Sequence, residues 1–227
     1  RDIFVDGLCT VTETLPAGWK NTDPGDAVPP ITDTFTSPDP AGAVITVEFG
    51  NQELGRIIVD KVTVPPGAAQ SFEFDPSWTS NFFLTHAAAP HDSGLIAPGI
   101  YSVAELGPPA GWVLTSAVCS DGSPIGAINL AGGETVTCTF TDTEQGRIIV
   151  DKVTVPPGDP QLFEFDPSWT ANFFLAHATA PHNSGFLAPG IYSVAELGPP
   201  VGWTLTSAVC SDGSDIGDIN LAAGETV

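Results

Sequence analysis

The chain contains no methionine and only six basic residues, against 27 acidic ones. The resulting net charge of −21 excludes a nucleic-acid binder, which needs the opposite sign. It disfavours an anionic membrane surface for the same reason. No apolar run approaches the roughly 18 residues of a membrane helix. No secretory signal stands at Arg1, so the expectation is a processed protein or a cut from a longer one. There is no phosphate loop and no nucleophile elbow, which leaves hydrolase chemistry without a motif. Stretches of helical periodicity longer than about ten residues are also missing.

What the chain does contain is a repeat. GRIIVDKVTVPPG at 55–67 returns unchanged at 146–158, an offset of 91 residues. Residues 55–136 and 146–227 align without a gap and differ at 14 of 82 positions. Near-identical copies build length or valency, and a single active site has no use for two. The period divides the chain into a partial, C-terminal half unit at 1–54, a complete unit at 55–145, and a unit at 146–227 lacking its last strand. The 24 glycines and 22 prolines punctuate short runs of Val, Ile, Thr and Phe, a pattern of many strands and tight turns. Seven or so strands per unit predict an all-β protein of tandem immunoglobulin-like β-sandwiches in series.

In the complete unit, Arg56 to Val64 opens as a strand, followed by Gln70 to Phe74. Ser77 to Thr85 is a third candidate, with Phe82, Phe83 and Leu84 as core residues. Then come IYSVAEL (Ile100 to Leu106), Trp112 to Cys119, a short segment around Ile128, and the closing strand Glu134 to Asp142. In the partial unit, Asp2 to Trp19 lies over Gly185 to Trp203, and Ala43 to Gly50 over Glu134 to Thr141. The Pro-, Asp- and Thr-rich stretch between them is expected to be an irregular loop or a distorted hairpin.

Alternation places polar residues on the core face of three strands. Ile57 and Val59 share a face with Lys61. Tyr101 and Val103 share one with Glu105. Val136, Cys138 and Phe140 share one with Asp142. The chain has three lysines, and Lys61 and Lys152 hold the same repeat position. A buried charge must be paired or neutralised. Either Lys61 salt-bridges Glu105 or Asp142, or a desolvated Lys61 amine attacks the Asp142 carboxyl, with Glu105 shuttling the proton. The second outcome is an intramolecular isopeptide bond that ties the first strand to the last. Lys152 and Glu196 repeat two members of the trio; Glu13 and Asn51 are the counterparts in the partial unit.

Cys119 and Cys138 flank a hairpin-like segment. A disulfide between them implies an oxidising, extracellular setting, and two buried thiols are the alternative. Cys210 is the repeat partner of Cys119, and Cys9 has no obvious mate.

These segments resemble bacterial prealbumin-like repeats, the B-type domains of collagen adhesins and SpaA-like surface pilins. IYSVAELGPPAGW resembles that family's glutamate box, IVDKV its lysine-bearing first strand, and CTFTD its closing Asn/Asp strand. Leu106 departs from the pattern, since threonine commonly follows the glutamate; Glu13-Thr14 keeps it. The resemblance implies extracellular stalk or fibre domains, often cross-linked by Lys–Asn/Asp isopeptide bonds, with Lys61, Glu105 and Asp142 as the matching trio.

Other candidates are weaker. His86 and His91 recur as His177 and His182, but without accompanying ligands they read as solvated loop residues, so no metal site is expected. Asp75, Asp92 and Asp121 are the only hint of calcium, and no dense Asp/Asn loop supports it; the cofactor expectation is none. Trp78, Trp112, Trp169 and Trp203 offer a sugar-binding platform or, on the blander reading, packing at the sandwich edge. Cys9 to Thr14 also matches Cys138 to Thr143. As a donated strand it would bring Cys9 to Cys210 and Glu13 toward Lys152 of a neighbouring copy, giving a head-to-tail filament. The expectation is a structural, non-enzymatic segment of an extracellular fibre, pilus-like filament or adhesin stalk whose main partner is itself. A module binding a carbohydrate or host protein is the rival.

Overall fold

The computed structural model describes residues 8–22, 31–36 and 48–227, and every regular element among them is a β-strand. The opening strand of the complete unit, Arg56–Val64, shows why. Ile57, Val59, Lys61 and Thr63 are buried, and the residues between them are half-buried. Its β-branched side chains suit such a pleated surface.

This strand pairs in parallel with the closing strand, Thr135–Glu144. Val136 lies opposite Ile57, Cys138 opposite Val59, and Phe140 opposite Lys61. On its other edge the closing strand pairs antiparallel with Trp112–Cys119, with a register break between Leu114 and Ser116. His91–Asp92 extends the sheet beyond the opening strand. A second sheet has the order Val103–Leu106, Phe72–Pro76, Phe82–Leu84. The core lies between the two sheets and joins Ile57, Val59 and Phe140 from the first to Phe72, Phe74 and Val103 from the second. Gly99–Tyr101 and Ile128–Leu130 form a separate two-stranded ribbon.

Three details differ from the sequence reading. Phe83 is not a core residue: it is 63% exposed, because it pairs opposite Glu73 on the outer face while Leu84 turns inward. IYSVAEL is not one strand, because it breaks at Ser102. The Ser102 N–H donates to Ser77 Oγ at 2.9 Å, and its carbonyl accepts the Ser77 N–H at 2.8 Å. With this break and the short His91–Asp92 strand, residues 55–145 hold nine strands where seven were expected.

Residues 146–227 repeat the second sheet as Phe173–Leu175, Phe163–Pro167, Val194–Leu197. They also repeat the ribbon, as Gly190–Tyr192 with Ile219–Leu221. Here the opening strand is reduced to Ile149–Val150, and Trp203 to Cys210 is not a strand. In the complete unit both segments ladder onto the closing strand. Here Thr226 and Val227 begin that ladder, with a parallel bridge from Arg147 to Thr226 and a Val227 N–H to Arg147 carbonyl bond of 3.0 Å.

In the partial unit, Leu8–Glu13 pairs antiparallel with Ile31–Thr36. Part of the stretch expected to be an irregular loop or a distorted hairpin is therefore a strand paired with Leu8–Glu13. Trp19–Asn21 pairs with Asn51–Glu53, with Trp19 opposite Glu53 just as Trp112 lies opposite Glu144. The expected strand at Ala43 to Gly50 falls mostly outside the described residues.

Candidate cross-link site

Three strands converge on one buried point. The opening strand carries Lys61 inward two residues after Val59. The second sheet carries Glu105, which pairs opposite Phe74. The closing strand carries Asp142 two residues after Phe140, one step along the parallel ladder from Lys61. The side chains of all three are fully buried. Lys61 Nζ donates to Glu105 Oε2 at 2.9 Å and also makes a close ion pair with Asp142 Oδ2. Its ammonium sits over the Phe72 ring, 4.0 Å from the centroid. Phe72 was not singled out by the sequence reading. Its inward position in Phe72–Pro76 carries the signal, but only the structure shows that it lies beneath the lysine.

The electrostatics of this point are unbalanced. One ammonium faces two carboxyl groups in a dry site, where charge is poorly solvated. Glu105 Oε1 and Asp142 Oδ1 are buried without a hydrogen-bond partner. Burial pushes the Glu105 carboxyl up to about 7, Lys61 pulls the other way, and the charge on Asp142 adds to the rise. Near neutrality Glu105 is thus divided between acid and base, the state required of a proton carrier.

The other two copies are parts of the same arrangement. Lys152 Nζ donates to Glu196 Oε2 at 2.7 Å and lies over the Phe163 ring, 4.0 Å from its centroid. The position corresponding to Asp142 falls past Val227. In the partial unit, Asn51 Nδ2 donates to Glu13 Oε1 at 2.6 Å. The glutamate and the carboxamide are together there. The strand of Asn51 pairs as that of Asp142 does, whereas the strand of Glu13 pairs with Ile31–Thr36, which has no counterpart in the complete unit.

Residues 57–144 match the family model described as a prealbumin-like fold domain. The complete unit is a prealbumin-like domain. The Bacillus anthracis TIE protein aligns over 97% of this chain and 50% of its own, at 14% identity and a TM-score of 0.37. A streptococcal ancillary pilin aligns over 99% and 75%, at 14% identity and a TM-score of 0.33. The pilus adhesin SpaC of Lactobacillus rhamnosus GG aligns over 87% and 38%, at 14% identity and a TM-score of 0.27. The chain thus spans half the length of the first of these structures. No curated protein matches it in sequence.

In the prealbumin-like domain, Cys119 and Cys138 lie directly opposite each other and form a disulfide. Cys210 is a half-buried free thiol. Burial, helped by the charges of Asp212 and Asp215, pushes that thiol's pKa up. The Cys9 side chain lies outside what is described. Leu8–Glu13, the candidate donor strand, is laddered within its own chain.

The remaining candidates have structural partners. His86 Nδ1 accepts the Thr63 N–H at 2.8 Å, and His177 Nδ1 accepts that of Thr154 at 2.8 Å. These two are bonded to the edge of the opening segment, which corrects their reading as solvated loop residues. His91 and His182 stack on Phe82 and Phe173. Asp92 pairs with Arg56 at 3.2 Å, and Asp121 accepts from Ser123. Asp75 lies in the second sheet opposite Ala104, away from both. Trp112 and Trp203 meet Phe72 and Phe163 edge-on, and Trp78 and Trp169 meet Tyr101 and Tyr192. The four tryptophans therefore face four separate packing partners and form no shared platform.

Proposed function

We propose that this chain is a structural repeat segment of an extracellular fibre, pilus-like filament or adhesin stalk. Its complete unit is stapled internally by the Cys119–Cys138 disulfide and by a Lys61–Asp142 isopeptide bond. The carrying observation is the sealed Lys61–Glu105–Asp142 trio, which joins the first strand of the domain to its last. The reaction balances simply. Lys61 gives up a proton, and its amine attacks Cγ of Asp142. The amine nitrogen sheds a second proton after the attack, and Glu105 carries both protons in turn to the departing oxygen, which leaves as water. An ammonium and a carboxylate become one neutral amide, so one charge of each sign leaves the site and only Glu105 remains ionisable there.

Intact mass of the purified chain tests this. The expected result, after allowing for the disulfide, is a deficit of one water, mapped to a branched peptide joining Lys61 to Asp142. Glu105→Gln removes the proton carrier, and the full mass should return. A wild-type chain of full mass overturns the cross-link and leaves a buried ion pair in its place. Electron microscopy of native material tests the larger role, which predicts continuous filaments or stalks and fails if only isolated particles appear.

A second reading concerns assembly. In residues 146–227 a groove of about 530 Å³ runs between the opening segment and Trp203 to Cys210, past Lys152, Glu196 and Cys210. A strand from the chain's own continuation or one donated by another copy would occupy it, and donation would polymerise the chains head to tail. The donor named by sequence, Leu8–Glu13, would first have to leave Ile31–Thr36. A ladder of bands on denaturing gels supports donation, and a monomer at all concentrations sinks it. Apart from these self-directed bonds, the chain acts on no substrate in this reading, and its partners are further copies of itself.

A further inference from the structure

The two joints between successive units are built alike. The Leu54 N–H donates to the Gly18 carbonyl at 2.7 Å, and the Gln145 N–H to the Gly111 carbonyl at 2.8 Å. Each joint thus ties its connecting residue to the Pro-x-Gly-Trp turn of the preceding unit. Just beyond, Gly146 and Leu187 exchange two backbone bonds of 2.9 Å, and Gly55 and Ile96 exchange bonds of 3.0 and 2.9 Å. Those pairs fix the residue just before Ile96 or Leu187, namely Leu95 or Phe186. A Cβ placed on Gly18 would sit 3.9 Å from Leu95 Cδ1, and one on Gly111 would sit 2.7 Å from Phe186 Cε1. The third copy of the turn provides the contrast. Gly202 has nothing within 4 Å and is exposed, whereas Gly111 is buried.

Two of the differences between the repeats act together here. In the complete unit Arg56 is held by Asp92 at 3.2 Å. In the next unit Asn183 replaces that charge, and the Arg147 guanidinium stacks over the Phe186 ring at 4.2 Å. Phe186 is therefore gripped between an arginine of its own unit and the glycine turn of the preceding one.

We propose that the Pro-x-Gly-Trp turn is a docking socket for the following repeat and that residue 95 or 186 is the knob that fills it. Each joint is then a fixed interface, where a flexible tether is the usual default between domains. The joint between 144 and 146 is the tighter of the two. This rests on the joints alone, so a chain lacking the isopeptide bond would leave it standing.

Limited tryptic digestion of the full chain, read by mass spectrometry, tests it. Arg56 and Arg147 place one cleavage site beside each joint. Gly111→Ala forces Phe186 away while keeping Arg147 and Phe186 present. Phe186→Ala removes the knob. Gly202→Ala introduces the same left-handed strain, at φ 93° against 87°, on a turn with nothing packed upon it. Cleavage after Arg147 should be several-fold faster in the first two variants and unchanged in the third, with cleavage after Arg56 unchanged in all. Equal rates after Arg147 in every variant overturn the proposal, as does a Gly202→Ala rate matching that of Gly111→Ala. Small-angle scattering gives a second readout: the distance distribution should broaden for Phe186→Ala, and an unchanged distribution counts against the socket.

Discussion

At the scale of residues, the site around Lys61 is organised by an excess of negative charge in a dry place. Lys61→Met leaves Glu105 and Asp142 buried without their cation, and it should destabilise the domain by about 3–5 kcal/mol at neutral pH. Chemical denaturation measures this, and a loss under about 1 kcal/mol would show the site to be wetter than its burial implies. The pH dependence has a definite sign. Glu105 rises from an ordinary 4.5 to about 7, so the folded state holds its proton more tightly than the unfolded one. Its contribution to stability is complete below about 4.5 and is lost as pH rises through about 7. Denaturation midpoints across that window should fall in the wild type, and Glu105→Gln should flatten the slope. Asp142→Asn keeps an acceptor for Lys61 while removing one charge. The bond should still form, with loss of ammonia in place of water, and intact mass distinguishes the two.

At the scale of elements, the disulfide joins two strands that are already hydrogen-bonded neighbours, 19 residues apart in sequence. Replacing both Cys119 and Cys138 by serine should cost about 3 kcal/mol of domain stability and leave the fold intact. The same elements show how far strand arithmetic reaches. Ile57, Val59 and Lys61 repeat at period two, as do the residues leading to Glu105 and Asp142, so the inward lysine and both carboxylates are legible in the sequence alone. The break in IYSVAEL was not, because it depends on Ser102 meeting Ser77 from 25 residues away. Phe83 fooled the reading because three consecutive apolar residues carry no alternation, and only the pairing with Glu73 shows which one faces outward. His86 was opaque for a similar reason: its partner, the Thr63 N–H, is a backbone group with no signature in sequence. The strand at Ile31–Thr36 has drifted from the repeat, so no template pointed to it.

At the scale of the whole molecule, near-identical sequences do not have equal surroundings. Val153, Val155 and Val209 are 66%, 87% and 87% exposed. Their counterparts in the complete unit are better covered: Val62 is half-buried, Val64 is 42% exposed and Val118 60%, and Lys61 is more enclosed than Lys152. Calorimetry of this chain should resolve two transitions, with residues 146–227 melting first. Loss of the disulfide should lower only the upper transition, and a single transition would show that the units unfold together. The parallel pairing of Arg56–Val64 with Thr135–Glu144 has a mechanical meaning of its own. The chain enters the domain at one end of this pair and leaves at the other, so an axial load slides the two strands past each other. Every rung of the ladder then resists in shear at once, whereas a hairpin pulled at its open end would peel rung by rung. Once Lys61 is joined to Asp142, the load crosses directly from strand to strand, and residues 62–141 hang outside the force path as a closed loop that pulling cannot lengthen.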